Sequence, residues 1–220
     1  MASRHPIPAM LAAAFAAAAV LAAPAQAATF TNGSFEDIVA GWTADPSLVQ
    51  TFTEFNHRNE AGEVTHTYLP VEGLLLGVLT APYEADTPFV ISQTFTTVGG
   101  LFSGWAAFSG GDALPWNDTA FVRLVGPAGT ISLFTSDIAG VGDYGHTPWN
   151  LFSVVLGAGT YTFEAGVSNA SDPFDPSFLI LDGITLAEVP EPGTWALMLT
   201  GFLGLGAALR RRRARALNPA

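Results

Sequence analysis

The chain has 220 residues and a formal net charge of −11, and it contains neither cysteine nor lysine. The absence of cysteine excludes a fold that depends on disulfides, so stability has to come from a packed core. The acidic charge argues against nucleic acid and anionic lipid as partners, because both are polyanions.

The amino terminus has the three parts of a secretory signal peptide. Arg4 supplies a basic start, residues 7–23 form an apolar segment rich in Ala and Leu, and Ala25 and Ala27 give the small-x-small pattern of a cleavage site. A retained membrane helix is the alternative, but the proline and the small residues that follow the apolar segment disfavour it. We predict a signal peptide over residues 1–27 that is cleaved after Ala27.

Residues 28–188 form the predicted exported domain, and their pattern is that of β-strands. Eighteen acids and two arginines give this region a net charge of −16, which favours solubility and cation binding. Runs of Val, Ile, Phe and Thr alternate with Gly, Pro, Asn and Asp at the spacing of strands and turns. Because amphipathic strands must cover each other's apolar faces, we expect an all-β, jelly-roll-like β-sandwich. The candidate strands are Leu48–Phe55, Val64–Tyr68, Leu74–Thr80, Phe89–Thr97, Leu101–Phe108, Ala120–Val125, Thr130–Phe134, Leu151–Leu156, Thr160–Val167 and Phe178–Leu186.

The two ends of this domain carry its most informative motifs. The first is NGSFED at residues 32–37, followed by Gly41 and Trp42, and the last is LILDGITL at residues 179–186. This pair resembles the opening and closing strands of galactose-binding-like jelly rolls, a group that includes many carbohydrate-binding modules. The resemblance implies the same fold, in which a calcium ion often ties the first strand to the last.

The same resemblance implies which residues would hold that ion. Glu36 and Asp182 match the positions from which such sites draw carboxylates, and Glu72, in the VEGL segment, is a weaker third. Calcium takes several oxygen ligands from carboxylates and backbone carbonyls. The alternative is that these acids are solvated at turns and strand ends. One structural Ca²⁺ is therefore an expectation that rests on the resemblance and on the excess of acids.

A second possible metal site is less well supported by the sequence. His57, Glu60, Glu63 and His66 recur at every third position, a spacing that would align ligands on a helix. Gly62 and the β-branched residues beyond it favour a loop that enters a strand instead. We therefore expect the polar face of a hairpin here.

Trp116 is the candidate for contact with carbohydrate. It lies in a loop-like stretch, DALPWND, where an exposed ring could stack on the apolar face of a sugar. The alternative is that the ring folds back over a sheet edge. Trp105 and Trp149 are expected to lie in the core and to cap it, respectively.

The sequence lacks the common hydrolase and phosphate-binding signatures, namely Gly-x-Ser-x-Gly, His-Glu-x-x-His and Gly-x-x-x-x-Gly-Lys. Asp143 and His146 lie close together, but nothing in the sequence nominates a nucleophile for them. Pairs of acids for glycoside cleavage are too abundant here to be specific. We predict that the protein is not an enzyme.

The carboxyl-terminal segment, residues 189–220, has three parts in close succession. A short Pro-Glu-Pro motif at residues 190–192 comes first. An uncharged apolar stretch over residues 194–209 follows it, and a basic tail over residues 210–215 comes last. The flanking residues are Pro190, Glu191 and Pro192 on one side and Arg210, Arg211, Arg212 and Arg213 on the other. Because arginines directly after an apolar helix stop transfer, we predict a short transmembrane helix over residues 194–209 and not a buried core helix.

This tripartite segment resembles the PEP-CTERM sorting signal. The resemblance implies recognition by exosortase, transient anchoring in the inner membrane, and a final place at the cell surface or in the exopolysaccharide matrix of a Gram-negative bacterium. The expected partners are exosortase, exopolysaccharide and the inner membrane, but not nucleic acid. The expected function is that of an exported protein whose sandwich is a structural or carbohydrate-contacting module. A secreted glycoside hydrolase and a calcium-dependent adhesin are the alternatives.

Overall fold

The computed structural model describes residues 30–172, 174–188, 198–206, 209 and 210. The predicted signal peptide, the residues Pro190 to Pro192 and Arg211 to Arg213 lie outside this range. The predicted domain boundaries therefore stay predictions.

Nine β-strands and one short helix form the described part of the exported domain, which confirms the all-β prediction. The strands are β1 (Val49–Phe52), β2 (Phe55–Arg58), β3 (Val64–Tyr68), β4 (Leu76–Thr80), β5 (Phe89–Ser109), β6 (Thr119–Gly126), β7 (Gly129–Asp137), β8 (Asn150–Ser168) and β9 (Phe178–Glu188). The helix α1 (Ile138–Val141) follows β7. Its first turn is capped by the Asp137 carboxylate, which accepts a hydrogen bond from the Gly140 N–H.

Seven strands form one antiparallel sheet in the order β1-β4-β9-β5-β8-β6-β7, and β2 and β3 form a separate hairpin. The two longest strands, β5 and β8, take part in both layers of a sandwich-like arrangement. Phe95 and Phe102 show this, because residues seven apart in a straight strand are about 23 Å apart. The centroids of these two rings are only 5.4 Å apart. The sheet is thus folded over itself.

Glycines make this fold-over possible, and they explain where the strand prediction was wrong. Phe89–Thr97 and Leu101–Phe108 were predicted as separate strands, but they are continuous in β5, and the two segments predicted for β8 are also continuous. Gly99, with φ of 120°, lies opposite Gly157 in the ladder. Glycine adopts this backbone conformation without strain, so both strands bend here and keep their pairing. In contrast, the predicted strand Leu48–Phe55 is divided between β1 and the start of β2.

The main core lies between the two layers and is rich in aromatic side chains. The ring of Phe30 packs edge-on against Trp42, Phe95, Phe102 and Phe163, with centroid distances of 5.3–5.7 Å. Edge-to-face contact is favourable because the positive ring edge meets the negative ring face. The aromatic residues that the strand pattern directed inward therefore form one contiguous cluster.

A smaller buried cluster lies on the opposite face of the sheet, beneath the β2–β3 hairpin. Its buried members are Tyr68, Leu76, Val78, Ala107 and Ile180. Because side chains alternate between the two faces of a strand, β4, β5 and β9 contribute to both clusters. The hairpin therefore forms a cover over part of the outer face, which the sequence did not predict.

In the carboxyl-terminal segment, residues 198–206, 209 and 210 are helical. No helix within the described ranges is both long enough and apolar enough to cross a membrane. The transmembrane helix predicted over residues 194–209 lies partly outside these ranges.

Candidate functional site

An open cleft of about 600 Å³ lies beside the hairpin, and we call it the hairpin cleft. The β2–β3 hairpin forms one wall, and the end of β5 and the loops before β8 and β9 form the rest. Its lining residues are Phe55, Asn56, Arg58, Asn59, Glu60, Gly62, Ser109, Gly110, Gly111, Tyr144, Asp175, Pro176 and Phe178. Side-chain amides, carboxylates, a guanidinium and aromatic rings thus share one depression.

Tyr144 lies at the acidic side of the hairpin cleft. Its backbone has φ of 46°, and its N–H donates to the carbonyl of Asp112 at 2.7 Å. Partial desolvation raises the pKa of the Tyr144 hydroxyl, and the nearby carboxylates of Asp112, Asp175 and Glu60 raise it further. The hydroxyl therefore stays protonated and can donate a hydrogen bond.

A buried polar network supports the loops on this side. Ser177 donates its hydroxyl hydrogen to Asp118 Oδ2 at 2.6 Å and accepts the Gly111 N–H at 3.0 Å. Asp118 Oδ1 accepts the Ala170 N–H at 2.8 Å. Burial raises the pKa of the Asp118 carboxyl, and its hydrogen bonds oppose that rise. These contacts fix the β5 end of the cleft to the segment that precedes β9.

Arg58 is one of the two arginines of the exported domain, and it lines the cleft. Its Nη1 donates to the carbonyl of Gly62 at 2.7 Å, so the guanidinium is held by the hairpin turn. The cleft also contains the carboxylates of Glu60 and Asp175. Its charge therefore favours a neutral or basic ligand over an acidic one.

A stack of histidines lies behind the hairpin wall. His57 is 2% exposed, and a hydrogen bond of 2.8 Å joins its Nδ1 to Ser109 Oγ. Its ring centroid is 4.4 Å from that of His146, and the His66 ring stacks on His146 at 4.7 Å. Burial, followed by the charges of His146 and His66, lowers the pKa of His57 to about 4. Burial also lowers the pKa of His146.

The Ser109–His57 pair is a hydroxyl and an imidazole in contact, which the sequence did not reveal because the two residues are 52 positions apart. Acyl transfer by such a pair needs N–H donors for the developing oxyanion. The two N–H groups that follow Ser109 are already used, since Gly110 donates to the Gly145 carbonyl and Gly111 to Ser177. The contact therefore gives the buried His57 ring a hydrogen-bond partner, and the N–H groups of Gly110 and Gly111 are not available to bind an oxyanion.

The residues expected to bind calcium are brought to one loop, residues 71–75. Asp182 is buried, and its Oδ2 accepts the N–H groups of Val71 and Glu72. Burial raises the pKa of the Asp182 carboxyl, these hydrogen bonds lower it, and the nearby Glu72 carboxylate raises it again. Asp182 and Glu72 are therefore close enough to influence each other.

Glu36 holds the other end of the same loop. Its Oε1 accepts the N–H groups of Leu74 and Leu75 at 2.7 and 2.8 Å. The Asp182 Oδ1 accepts the Gly183 N–H at 2.7 Å, so three of the four carboxylate oxygens of Glu36 and Asp182 already accept hydrogen bonds. In the described part of the chain, no three or more His, Cys, Asp or Glu side chains are arranged to hold a metal ion. An ion here would need backbone carbonyl oxygens as further ligands, and the calcium site stays a prediction.

Of the three tryptophans, the structure confirms the prediction for Trp149 and corrects that for Trp105, which is half-buried and belongs to neither core cluster. Trp149 is half-buried against the smaller cluster, and its Nε1–H donates to the Leu69 carbonyl at 3.2 Å, which confirms a capping role. Trp105 is half-buried beside Gly183. Trp116 is 39% exposed and is not among the residues that line the hairpin cleft. Its role in carbohydrate contact stays a prediction.

The tail begins where the last strand ends. β9 closes at Glu188, opposite Gly100 of β5. A model of the PEP-CTERM protein-sorting motif matches residues 188–213. The chain carries a PEP-CTERM motif. This match confirms the resemblance on which the sorting prediction rested, and the motif indicates an exported protein.

The PEP-CTERM match is confined to the tail, and other comparisons concern the sandwich. No curated protein matches the chain. Among solved structures, TmCBM61 in complex with beta-1,4-galactotriose has 13% identity and a TM-score of 0.43, with 74% of this chain and 99% of that chain covered. A family 16 carbohydrate-binding module has 17% identity and a TM-score of 0.38, with 71% and 97% covered.

An adhesin domain of Lys-gingipain from Porphyromonas gingivalis has 14% identity and a TM-score of 0.40, with 72% of this chain and 97% of that chain covered. Similarity at this level carries no function from those proteins to this chain.

Proposed function

We propose that this protein is exported, sorted by exosortase through its PEP-CTERM tail, and retained at the cell surface or in the exopolysaccharide matrix, where its sandwich contacts carbohydrate through the hairpin cleft. We further infer that the sandwich is of the jelly-roll type. The observation that supports carbohydrate contact is the composition of the cleft. It offers planar amides, carboxylates and a guanidinium for sugar hydroxyl groups, together with aromatic rings for the apolar faces of sugars.

The charge of the cleft narrows the ligand class. Glu60 and Asp175 line it, and Asp112 and Asp143 also act on Tyr144. A polysaccharide rich in carboxylates or sulfates would be repelled by these acids, and Arg58 alone does not balance them. The preferred ligand is therefore a neutral or amino-sugar polymer.

A glycan array of the purified protein tests this proposal. Wild-type protein is expected to bind neutral or basic oligosaccharides, and Tyr144→Ala to lose most of that binding, because it removes both a ring and a hydroxyl from the cleft. Tyr83→Ala is the matched control, since Tyr83 is 72% exposed and does not line the cleft. Equal loss in the two variants, or binding only to acidic glycans, would contradict the proposal.

A glycoside hydrolase is the second candidate, because Glu60 and Asp175 place two carboxylates in one cleft. The proposal of a binding module requires that no reducing ends appear when the protein is incubated with a polysaccharide that it binds. Release of reducing ends that disappears in both Glu60→Gln and Asp175→Asn would replace the binding module by the hydrolase.

The sorting part of the proposal is tested in a host that contains exosortase. Replacement of Pro190, Glu191 and Pro192 by alanine is expected to leave the protein in the inner membrane. Replacement of Arg210 to Arg213 by serine is expected to weaken the stop-transfer effect. A Pro-Glu-Pro variant that is processed and released like wild type would remove the exosortase assignment and leave the cleft assignment intact.

A further inference from the structure

All three histidines of residues 28–188 meet in one stack. His57 in β2 and His66 in β3 are a cross-strand pair within the hairpin, and His146 lies in the segment between α1 and β8. The ring of His146 lies 4.4 Å from that of His57 and 4.7 Å from that of His66. Docking of the hairpin on the sheet is therefore what brings the three rings together.

The described side-chain contacts of these three rings are with one another and with uncharged side chains. Tyr68 packs edge-on against His66 at 4.5 Å, and Ser109 occupies Nδ1 of His57. The charged groups that act on His57 are His146 and His66, while the backbone of Tyr144 favours its protonated form. Among the described residues, none of the three histidines forms an ion pair with a carboxylate.

Other titratable groups border the stack without pairing with it. The hairpin also carries Arg58, Glu60 and Glu63, and the loop that carries His146 also carries Asp143. Glu63 hydrogen-bonds to Asn59 in the hairpin turn, and Arg58 to the Gly62 carbonyl. Protonation of both His57 and His146 would therefore place two like charges on rings whose centroids are 4.4 Å apart.

The hairpin is the element that can respond to this repulsion. It belongs to no larger sheet, and in the described part of the chain its backbone hydrogen bonds stay within the hairpin. Side chains attach the hairpin to the rest of the domain. His57 hydrogen-bonds to Ser109, the Tyr68 hydroxyl donates to the Thr147 carbonyl, and the ring of Phe55 packs on that of Phe178. Local opening would break these contacts and leave the backbone pairing of the seven-stranded sheet intact.

We propose that the histidine stack is an acid-sensitive latch, which holds the β2–β3 hairpin closed at neutral pH and releases it in mild acid, so that the wall of the hairpin cleft is lost. This inference deepens the proposed function, because it assigns a regulation to the same cleft. A carbohydrate bound there at neutral pH would be released as the pH falls.

The direction follows from proton linkage. The pKa of His57 is lowered to about 4 in the closed protein, against 6.5 for an exposed histidine. Because the pKa is lower in the closed state, neutral His57 stabilises that state fully above pH 6.5. This stabilisation is lost as the pH falls towards 4. From pH 7 to pH 5, these two values predict about a 20-fold rise in the equilibrium constant for opening. The raised pKa values of Asp112 and Asp118 affect global unfolding in the opposite direction, since protonation of a buried carboxyl favours the folded state.

Hydrogen exchange of the full chain tests the latch without any ligand. An undocked two-stranded hairpin is only marginally stable in water, so its amides should exchange once it opens. After correction for the pH dependence of chemical exchange, the opening constant of hairpin amides should rise about 20-fold from pH 7 to pH 5. Amides of β5 and β8, which lie in the ladder of the main sheet, serve as the internal reference and should show no comparable rise.

Two variants separate the latch from general acid sensitivity. His57→Asn keeps a side chain that can hydrogen-bond to Ser109 but cannot titrate, and it should abolish most of the pH dependence. His146→Phe keeps a ring in the stack without its charge, and it should reduce the dependence. If His57→Asn does not fold, the His57 ring signal in NMR still decides, because its midpoint should lie near pH 4.

Hairpin exchange that is equal at both pH values, a pH dependence that persists in His57→Asn, or a His57 midpoint near the ordinary value of 6.5 would each overturn the latch. These outcomes do not depend on carbohydrate. A functional latch without sugar binding would refute the assigned ligand alone, and sugar binding that is equal at pH 7 and pH 5 in a protein whose hairpin opens would refute the coupling to the cleft.

Discussion

The main core and the hairpin are both built around contacting rings, but the rings differ in chemistry and in what holds them. Phe30, Phe95, Phe102 and Phe163 are hydrocarbon rings, and the last three lie on strands of the main ladder. The rings of His57, His66 and His146 can be protonated, and in the described part of the chain only side-chain contacts dock the hairpin that carries two of them. Burial alone therefore does not make a region insensitive to pH. Sensitivity to pH depends on whether the buried rings can be protonated and on whether backbone hydrogen bonds join the element to the main sheet.

The largest expected effect breaks the main core. Phe163→Ala removes a fully buried ring that contacts Phe30, Trp42, Phe102 and Phe152. It should lower the free energy of unfolding by about 3–5 kcal/mol, because it leaves a cavity in a packed core. Denaturant unfolding at pH 5 and pH 7 should give the same loss. Val155→Ala is the control, since Val155 is 78% exposed and should change little. If the loss of free energy of unfolding differed strongly between pH 5 and pH 7, the main core would not be insensitive to pH, contrary to this account.

The next effect concerns the loop that Glu36 and Asp182 hold. If one calcium ion binds there, saturating calcium at a hundred times its dissociation constant should stabilise the fold by about 2.7 kcal/mol, and a chelator should reverse the gain. Asp182→Asn should abolish the calcium-dependent part of the melting temperature. If the melting temperature of wild type changed with neither calcium nor chelator, the calcium site would be refuted. Glu36 and Asp182 would then serve only as hydrogen-bond acceptors for backbone N–H groups.

A smaller effect should appear in the hairpin and not in the core. Tyr68→Phe removes the hydroxyl that donates to the Thr147 carbonyl, one of the contacts that dock the hairpin. The expected cost is about 1 kcal/mol. Hydrogen exchange should show faster opening of the hairpin amides, with the amides of β8 unaffected. Equal acceleration in both regions would mean that the hairpin and the main sheet open as one unit.

The smallest effect concerns the outer surface. Glu164→Gln breaks the ion pair in which Arg123 Nε donates to Glu164 Oε2 at 2.7 Å, where the Arg123 side chain is 45% exposed. Exposed ion pairs contribute about 0–1 kcal/mol, and salt screens them. The free energy of unfolding, measured with denaturant, should fall by less than about 1 kcal/mol, and by even less at high salt. A loss as large as that of Phe163→Ala would contradict the assignment of stability to the core.

Sequence could predict most of the sheet, because the two-residue alternation that places Phe95 and Phe163 inward is a local property of the chain. It predicted breaks at Gly99 and Gly157 because glycine usually interrupts strands, and only the fold shows that both glycines bend one continuous pair. The sorting motif is also a local property of the chain, and the match over residues 188–213 confirms that resemblance, while the transmembrane helix stays a prediction.

The site could not be predicted in the same way, because its parts are distant along the chain. His66 and His146 are separated by 80 positions and meet only when the hairpin docks. The contact of Asp182 with the Val71 N–H spans 111 positions. Besides the motifs that pointed to Glu36, Glu72 and Asp182, the pairing of β2 with β3 carried a local signal, the expected polar hairpin, and there the structure corrected the expectation by burying His57.

NMR mapping of a bound oligosaccharide decides whether the hairpin cleft binds carbohydrate. With a sugar selected on the array and added at pH 7, the amide signals of Asn56, Asn59 and Tyr144 should shift, since these residues line the hairpin cleft. Signals of Thr119 to Phe121, which border a second cleft of about 500 Å³, should not. Shifts confined to the second cleft, or no shifts with any neutral or basic oligosaccharide, would contradict the claim that the hairpin cleft binds carbohydrate.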